Sequence, residues 1–117
     1  MSRRSSFDIY IEEGKRLNYI FSNLGRILAD VKHQVQLLLP GSEVYLFGSA
    51  ARGKYTALSD IDMLIISDID DLEQIDKIRA SLRRKYIDYP IEFHIVSKLV
   101  YDKWYKRFIP EEELIKI

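Results

Sequence analysis

Asp60 and Asp62 stand one residue apart at the head of an apolar run, Asp60-Ile61-Asp62-Met63-Leu64-Ile65. On a β-strand, residues i and i+2 point to one face. The two carboxylates are therefore expected to share one side, with Ile61, Met63 and Ile65 on the other. Two like charges this close repel unless a cation sits between them. Carboxylate oxygens are hard ligands and suit Mg²⁺, Mn²⁺ or Ca²⁺. Upstream, the apolar stretch Tyr45-Leu46-Phe47 runs into Gly48-Ser49, and ten residues intervene before Asp60. A Gly-Ser turn ahead of a helix start offers free backbone N–H groups to a phosphate. Arg52, and Lys54 beside it, are candidate cationic contacts to the same phosphates. Phosphate cradle plus metal carboxylates point to chemistry on a nucleoside triphosphate.

These residues need a scaffold, and the hydrophobic spacing supplies one. Between positions 7 and 39 the apolar residues fall at steps of three and four, which predicts one amphipathic helix or two stacked ones. Ser5 and Asp8 suit its start, Gly14 and Gly25 are candidate breaks, and Pro40-Gly41 ends it. Strands are predicted over 43–47, 60–66 and 91–96. In the third, Ile91, Phe93 and Ile95 face inward, with Glu92 and His94 opposite. A helix capped by Asp70, with Glu73 three residues on, runs to about Tyr86, burying Leu72, Ile75, Ile78 and Leu82. A further helix covers 98–108, on which Trp104 and Phe108, spaced i and i+4, are expected to pack into the core. Pro110 opens a last turn whose Glu111, Glu112 and Glu113 suit a helix N-terminus. The expected fold is α/β (α+β), a three- to four-stranded mixed sheet packed with helices. It forms a single domain over 1–117, with a helical region at 7–39, a catalytic core at 43–96 and C-terminal helices at 98–117.

Composition narrows the function. The chain has 117 residues, enough for one small domain with one core. There is no cysteine, which excludes disulfides, thiolate metal sites and a thiol nucleophile. The formal net charge is +0, so a broad electrostatic grip on nucleic acid is not indicated. No signal peptide or membrane-spanning run is visible, and a cytoplasmic protein is expected. Gly48-x₄-Gly53-Lys54 imitates a P-loop up to position 55. There Tyr55 replaces the Ser or Thr that binds Mg²⁺, and a strand begins within six residues instead of a long helix.

Phe47-Gly48-Ser49-Ala50-Ala51-Arg52-Gly53 with Ser59-Asp60-Ile61-Asp62 resembles the signature of the DNA polymerase beta-like nucleotidyltransferase superfamily, in its minimal nucleotidyltransferase (MNT) form. The similarity extends over nearly the whole chain. It implies the nucleotidyltransferase fold and a metal-dependent transfer of a nucleoside monophosphate. Asp60 and Asp62 would hold Mg²⁺, or Mn²⁺ in its place. Gly48 and Ser49 would bind the terminal phosphates of ATP, and pyrophosphate would leave. A third carboxylate usually comes from a neighbouring strand, and Glu92 in Pro90-Ile91-Glu92-Phe93-His94 is the candidate, where the family more often has Asp. His94 is expected to be a satisfied structural histidine.

MNT proteins of this form resemble the antitoxin half of toxin–antitoxin modules. The resemblance therefore implies a HEPN-type protein partner, neutralised by adenylylation of a tyrosine. A homo- or hetero-oligomer that completes the site is compatible with so short a chain. Two other readings stand beside this one. The first is a non-catalytic antitoxin that sequesters its partner, which would have no need of a metal pair. The second is a small-molecule nucleotidyltransferase, whose relatives usually carry a further helical domain for the acceptor.

Overall fold

The apolar run of 61–66 is the key to the architecture, because a strand without polar alternation must be covered on both faces. The computed structural model describes residues 12, 15, 19, 20, 22–48, 51 and 60–117. In it this run forms β2 (Ile61–Ser67), an inner strand of a four-stranded sheet. Its neighbours are β1 (Glu43–Phe47), antiparallel, and β3 (Ile91–Ser97), parallel. A two-residue β4 (Ile115–Lys116) pairs antiparallel with the outer edge of β1, giving the order β3-β2-β1-β4. The sheet is mixed and the fold α+β, as expected, with four strands among the described residues.

Parallel neighbours need a long crossover, and α2 (Leu72–Lys85) supplies it between β2 and β3. It buries Ile75, Ile78 and Leu82, whereas Leu72 at its first position is exposed. The expected cap shifts by one residue. Asp71, not Asp70, accepts the Glu73 N–H at 3.1 Å, because only the residue adjoining the first turn can reach that donor.

On the same side of the sheet lies α1 (Leu24–Leu38), which buries Ile27, Leu28, Val31 and Val35 at steps of one to four. Glu12, Lys15, Tyr19, Ile20 and Ser22 ahead of it are also helical. The interruption comes at Asn23, not at Gly25. Its side-chain amide donates to the Tyr19 carbonyl at 2.8 Å, competing with the backbone ladder. Gly14, Ser5 and Asp8 lie outside the described residues. The helix stops before Pro40, and Gly41 takes φ +81°, a left-handed turn open to glycine.

The inward residues of the strands meet these helices in one core containing Val44, Leu46, Ile61, Met63, Ile65, Phe93 and Ile95. The alternate residues Leu64, Ile66 and Val96 form a smaller cluster on the opposite face. Tyr45, Phe47, Tyr101, Tyr105, Ile109 and Leu114 pack against it. The C-terminal segment that covers this face is helical in three stretches: α3 (Lys98–Val100), a π-helical stretch (Tyr101–Tyr105) and α4 (Lys106–Phe108). Ser97 caps its start by accepting the Val100 N–H at 3.2 Å. A 3₁₀ turn (Glu111–Glu113) then leads into β4. Among the described residues no helix is long and apolar enough to cross a membrane.

One polar contact ties α2 to α1 across the core rim. The buried Tyr86 hydroxyl donates to Asp30 Oδ2 at 2.6 Å. Burial first, and then this bond, push the Tyr86 phenol above its ordinary value of 10.0. A raised folded value means the fold favours the protonated phenol. That stabilisation is complete below the unfolded value and is lost as pH rises through the folded one. Tyr86→Phe is expected to cost about 1 kcal/mol at neutral pH. The difference from wild type should narrow in urea denaturation above about pH 10.

Candidate active site

Strand register decides which acids meet. In β2 the alternation sends Ile61, Met63 and Ile65 into the main core and leaves Asp62 on the opposite face, with Leu64 and Ile66. The parallel pairing aligns Asp62 with Glu92 and Leu64 with His94. Neighbouring strands lie about 4.8 Å apart, so Asp62 and Glu92 are side by side on one face. Their side chains are 30% and 46% exposed, accessible to a ligand yet partly shielded from water. Both stand one residue into their strands, at the edge of the sheet where β1 ends.

That edge brings in Gly48. The antiparallel pairing sets Phe47 opposite Asp62, so the next residue turns directly over the carboxylate. Gly48 adopts φ +77°, and a Cβ at this position would lie 2.6 Å from Asp62 Oδ2. Only glycine allows both the left-handed backbone and this close approach. The glycine of the predicted phosphate turn and the second aspartate of the predicted metal pair are therefore in contact range.

Asp60 is exposed and immediately precedes β2, which is anchored by the Ile61 N–H donating to the Pro90 carbonyl at 2.7 Å. Because the strand begins at Ile61 rather than at residue 60, pairing does not hold Asp60 in the sheet. Ser49, Arg52 and Lys54 lie outside the described residues. Glu92 accepts from Arg83 Nη2 at 3.5 Å. Among the described residues, no three acid or histidine side chains already converge as a metal cluster. In donor type the set still fits a hard divalent cation. Asp60, Asp62 and Glu92 offer only carboxylate oxygens, two of them on adjacent register positions and all reachable from solvent.

His94 was expected to be structural, and its surroundings give it a closer part. Its Nε2 lies 3.4 Å from Asp62 Oδ1. Its ring meets Phe47 edge-on at 5.1 Å and Tyr105 at 6.2 Å. The aromatic contacts hold the imidazole beside the carboxylate. The signal in the sequence was its place two residues after Glu92 on one strand face; the cross-strand partner was not visible there. His94→Ala is expected to lower nucleotidyl transfer about tenfold or more by releasing Asp62. His94→Gln, which can restore an N–H donor, should recover part of the rate at an unchanged melting temperature.

Beside His94 opens a cleft of about 690 Å³. Phe47, Gly48 and His94 form its sheet side, and Trp104, Tyr105 and Phe108 its helical side. The i, i+4 spacing predicts that Trp104 and Phe108 pack into the core, but they do not. They are 63% and 72% exposed and stack on each other at 6.3 Å with a 21° interplanar angle. The π-helical stretch explains the difference. The Lys106 N–H reaches back five residues to the Tyr101 carbonyl, widening the turn. Tyr101 and Tyr105 then point to the sheet, and the Trp104–Phe108 pair is left at the cleft.

The chain is similar to known proteins over most of its length. Residues 24–117 match the family described as Nucleotidyltransferase domain. A protein of Methanocaldococcus jannaschii named "Putative protein adenylyltransferase" is 34% identical over 91 residues, covering 74% of this chain and 89% of its own length. A crystal structure of a "putative nucleotidyltransferase" superposes with a TM-score of 0.65 at 30% identity, covering 77% of this chain and 96% of the other. A second, from Sulfolobus solfataricus, has a TM-score of 0.51 at 23% identity over 99% of this chain and 89% of its own, and speaks for the fold alone. The glycine turn against Asp62, the mixed four-stranded sheet and the family match over most of its length agree: this chain belongs to the nucleotidyltransferase domain family, as a minimal nucleotidyltransferase.

Proposed function

We propose that the protein transfers AMP from ATP to a hydroxyl of another protein, a tyrosine of a HEPN-type partner, and so acts as the antitoxin of a toxin–antitoxin pair. The observation that carries the reading is the close approach of Gly48 to Asp62, with Glu92 beside it in register. A glycine turn against two carboxylates at one end of the sheet supports reading Gly48 as part of a phosphate site. The Methanocaldococcus relative, named as a protein adenylyltransferase, supports the choice of a protein acceptor. A cytoplasmic setting, where ATP and Mg²⁺ are abundant, fits the same reading.

Asp60, Asp62 and Glu92 would hold Mg²⁺, or Mn²⁺. When bound, such an ion supplies charge neutralisation at the phosphates. The chain's own groups do the rest. Gly48, with Ser49 and Arg52 after it in sequence, receives the β- and γ-phosphates through backbone N–H groups and a guanidinium. His94 keeps Asp62 oriented. The acceptor oxygen forms a bond to the α-phosphorus while the bond to the bridging oxygen breaks, and pyrophosphate leaves with that electron pair. The hydroxyl proton passes to Glu92, the more exposed carboxylate of the pair.

The test incubates the protein with ATP, Mg²⁺ and the product of the neighbouring gene, and follows the intact mass of that partner. Stepwise addition of AMP supports the proposal. A tight, neutralising complex with no added mass would favour the sequestering antitoxin instead.

A further inference from the structure

The aromatic cleft next to Gly48 has no part in the reading above, which concerns only the phosphates and the carboxylates. We propose that this cleft seats the purine base of the donor nucleotide, stacked on the Trp104–Phe108 pair. The inference rests on the nucleotidyl-transfer reading and adds to it the site that selects the donor.

Continuity is the first argument. Gly48 lines the cleft and also touches the space of the Asp62 carboxylate. A nucleotide whose phosphates lie at the Gly48 turn therefore has its other end within reach of the cleft. The second argument is size. About 690 Å³ falls inside the range of pockets that enclose small organic ligands, and suits a nucleoside better than a single side chain.

The third argument is the chemistry of the walls. Trp104 and Phe108 expose large flat faces to solvent, which a base can cover without directional bonding. Phe47 and Tyr105 bound the same space from the sheet side and the π-helical stretch. His94 and Glu113, which also line it, add polar groups for the base or ribose edge. A purine covers more of a two-ring platform than a pyrimidine does. In-line displacement also separates the two substrates, because the acceptor must approach opposite the leaving pyrophosphate. The donor end is the Gly48 end, so the adjoining cleft falls to the donor and not to an acceptor tyrosine.

The chain has one tryptophan, so its emission reports on Trp104 at the border of this cleft. The experiment titrates the intact protein with α,β-methylene-ATP and Mg²⁺, reading tryptophan fluorescence and calorimetry in parallel. Saturable quenching is expected, with the same Kd by both methods and weaker binding of the CTP analogue. Trp104→Ala and Phe108→Ala, both at exposed positions, should each weaken calorimetric binding about tenfold, the loss of one stacking face. Their melting temperatures should stay near wild type. Binding with silent emission and unchanged Kd in both variants would overturn the base site and leave nucleotidyl transfer standing. Quenching by a tyrosine-bearing peptide, but not by the nucleotide, would overturn it in favour of an acceptor site. If calorimetry detects no nucleotide at all, the base site and the transfer reading fail together.

Discussion

Asp62→Asn is expected to reduce nucleotidyl transfer by about 10³-fold or more, which corresponds to the several kcal/mol that a metal-held phosphate contributes. Asp62 stands where the site's elements meet. It is paired in register with Glu92, lies 3.4 Å from His94 and sits against the Gly48 turn. Asparagine keeps the shape and one carbonyl oxygen but removes the charge that a divalent cation needs. The fold should not suffer, because the substitution also relieves repulsion between neighbouring acids. Initial rates against Mg²⁺ concentration, with melting curves as control, check the prediction. A variant that keeps a tenth of the rate at saturating Mg²⁺ would remove Asp62 from the metal site. Asp60→Ala should act in the same direction through exposed Asp60, with no effect on stability.

The second large effect belongs to a residue without a side chain. Gly48→Ala introduces a Cβ into a left-handed backbone and places it 2.6 Å from Asp62 Oδ2. The backbone part costs about 1–2 kcal/mol of stability. The steric part falls on the carboxylate, the softest neighbour, and turns it out of position. A misplacement on this scale is expected to cost about 10²-fold in rate. A double-mutant cycle separates the two parts. With Asp62→Ala in the background the Oδ2 contact is gone, and the stability cost of Gly48→Ala should shrink to the backbone part. Equal cost in both backgrounds, measured by chemical denaturation, would show that Gly48 does not touch Asp62.

Both predictions concern residues that the sequence had already singled out, whereas the partners that give them their effect came from the fold. The span of β1 and the inward face of β3 were legible because strand alternation is a period-two signal carried by five to seven residues. The buried stripe of α2 was legible for the same kind of reason, from Ile75 through Leu82. Its cap was placed one residue early, since Asp70 and Asp71 carry the same side chain and only backbone geometry separates them. β4 gave no signal: two residues are too few for any period, and its pairing depends on β1 being there to receive it. The outward turn of Trp104 and Phe108 is not legible in the sequence because i, i+4 spacing presumes an α-helical turn, and the π-helical stretch has a wider one.

The amino-acid sequence by itself determined the chemistry on offer and the local elements that carry it. These are the Gly48 turn after a strand, the Asp60 and Asp62 carboxylates at the head of the next, and Glu92 and His94 on one face of a third. Each is encoded within a handful of neighbouring residues by conformational preference, charge and alternation. Only the tertiary structure decided which of them meet. The α2 crossover lays β3 parallel to β2 in a register that sets Glu92 beside Asp62 and brings His94 within reach of it. The C-terminal segment folds over that face and opens an aromatic cleft at Gly48. These contacts join residues some 30 to 60 positions apart in the chain. Their energy comes from burying both faces of β2 at once, a condition no local pattern contains.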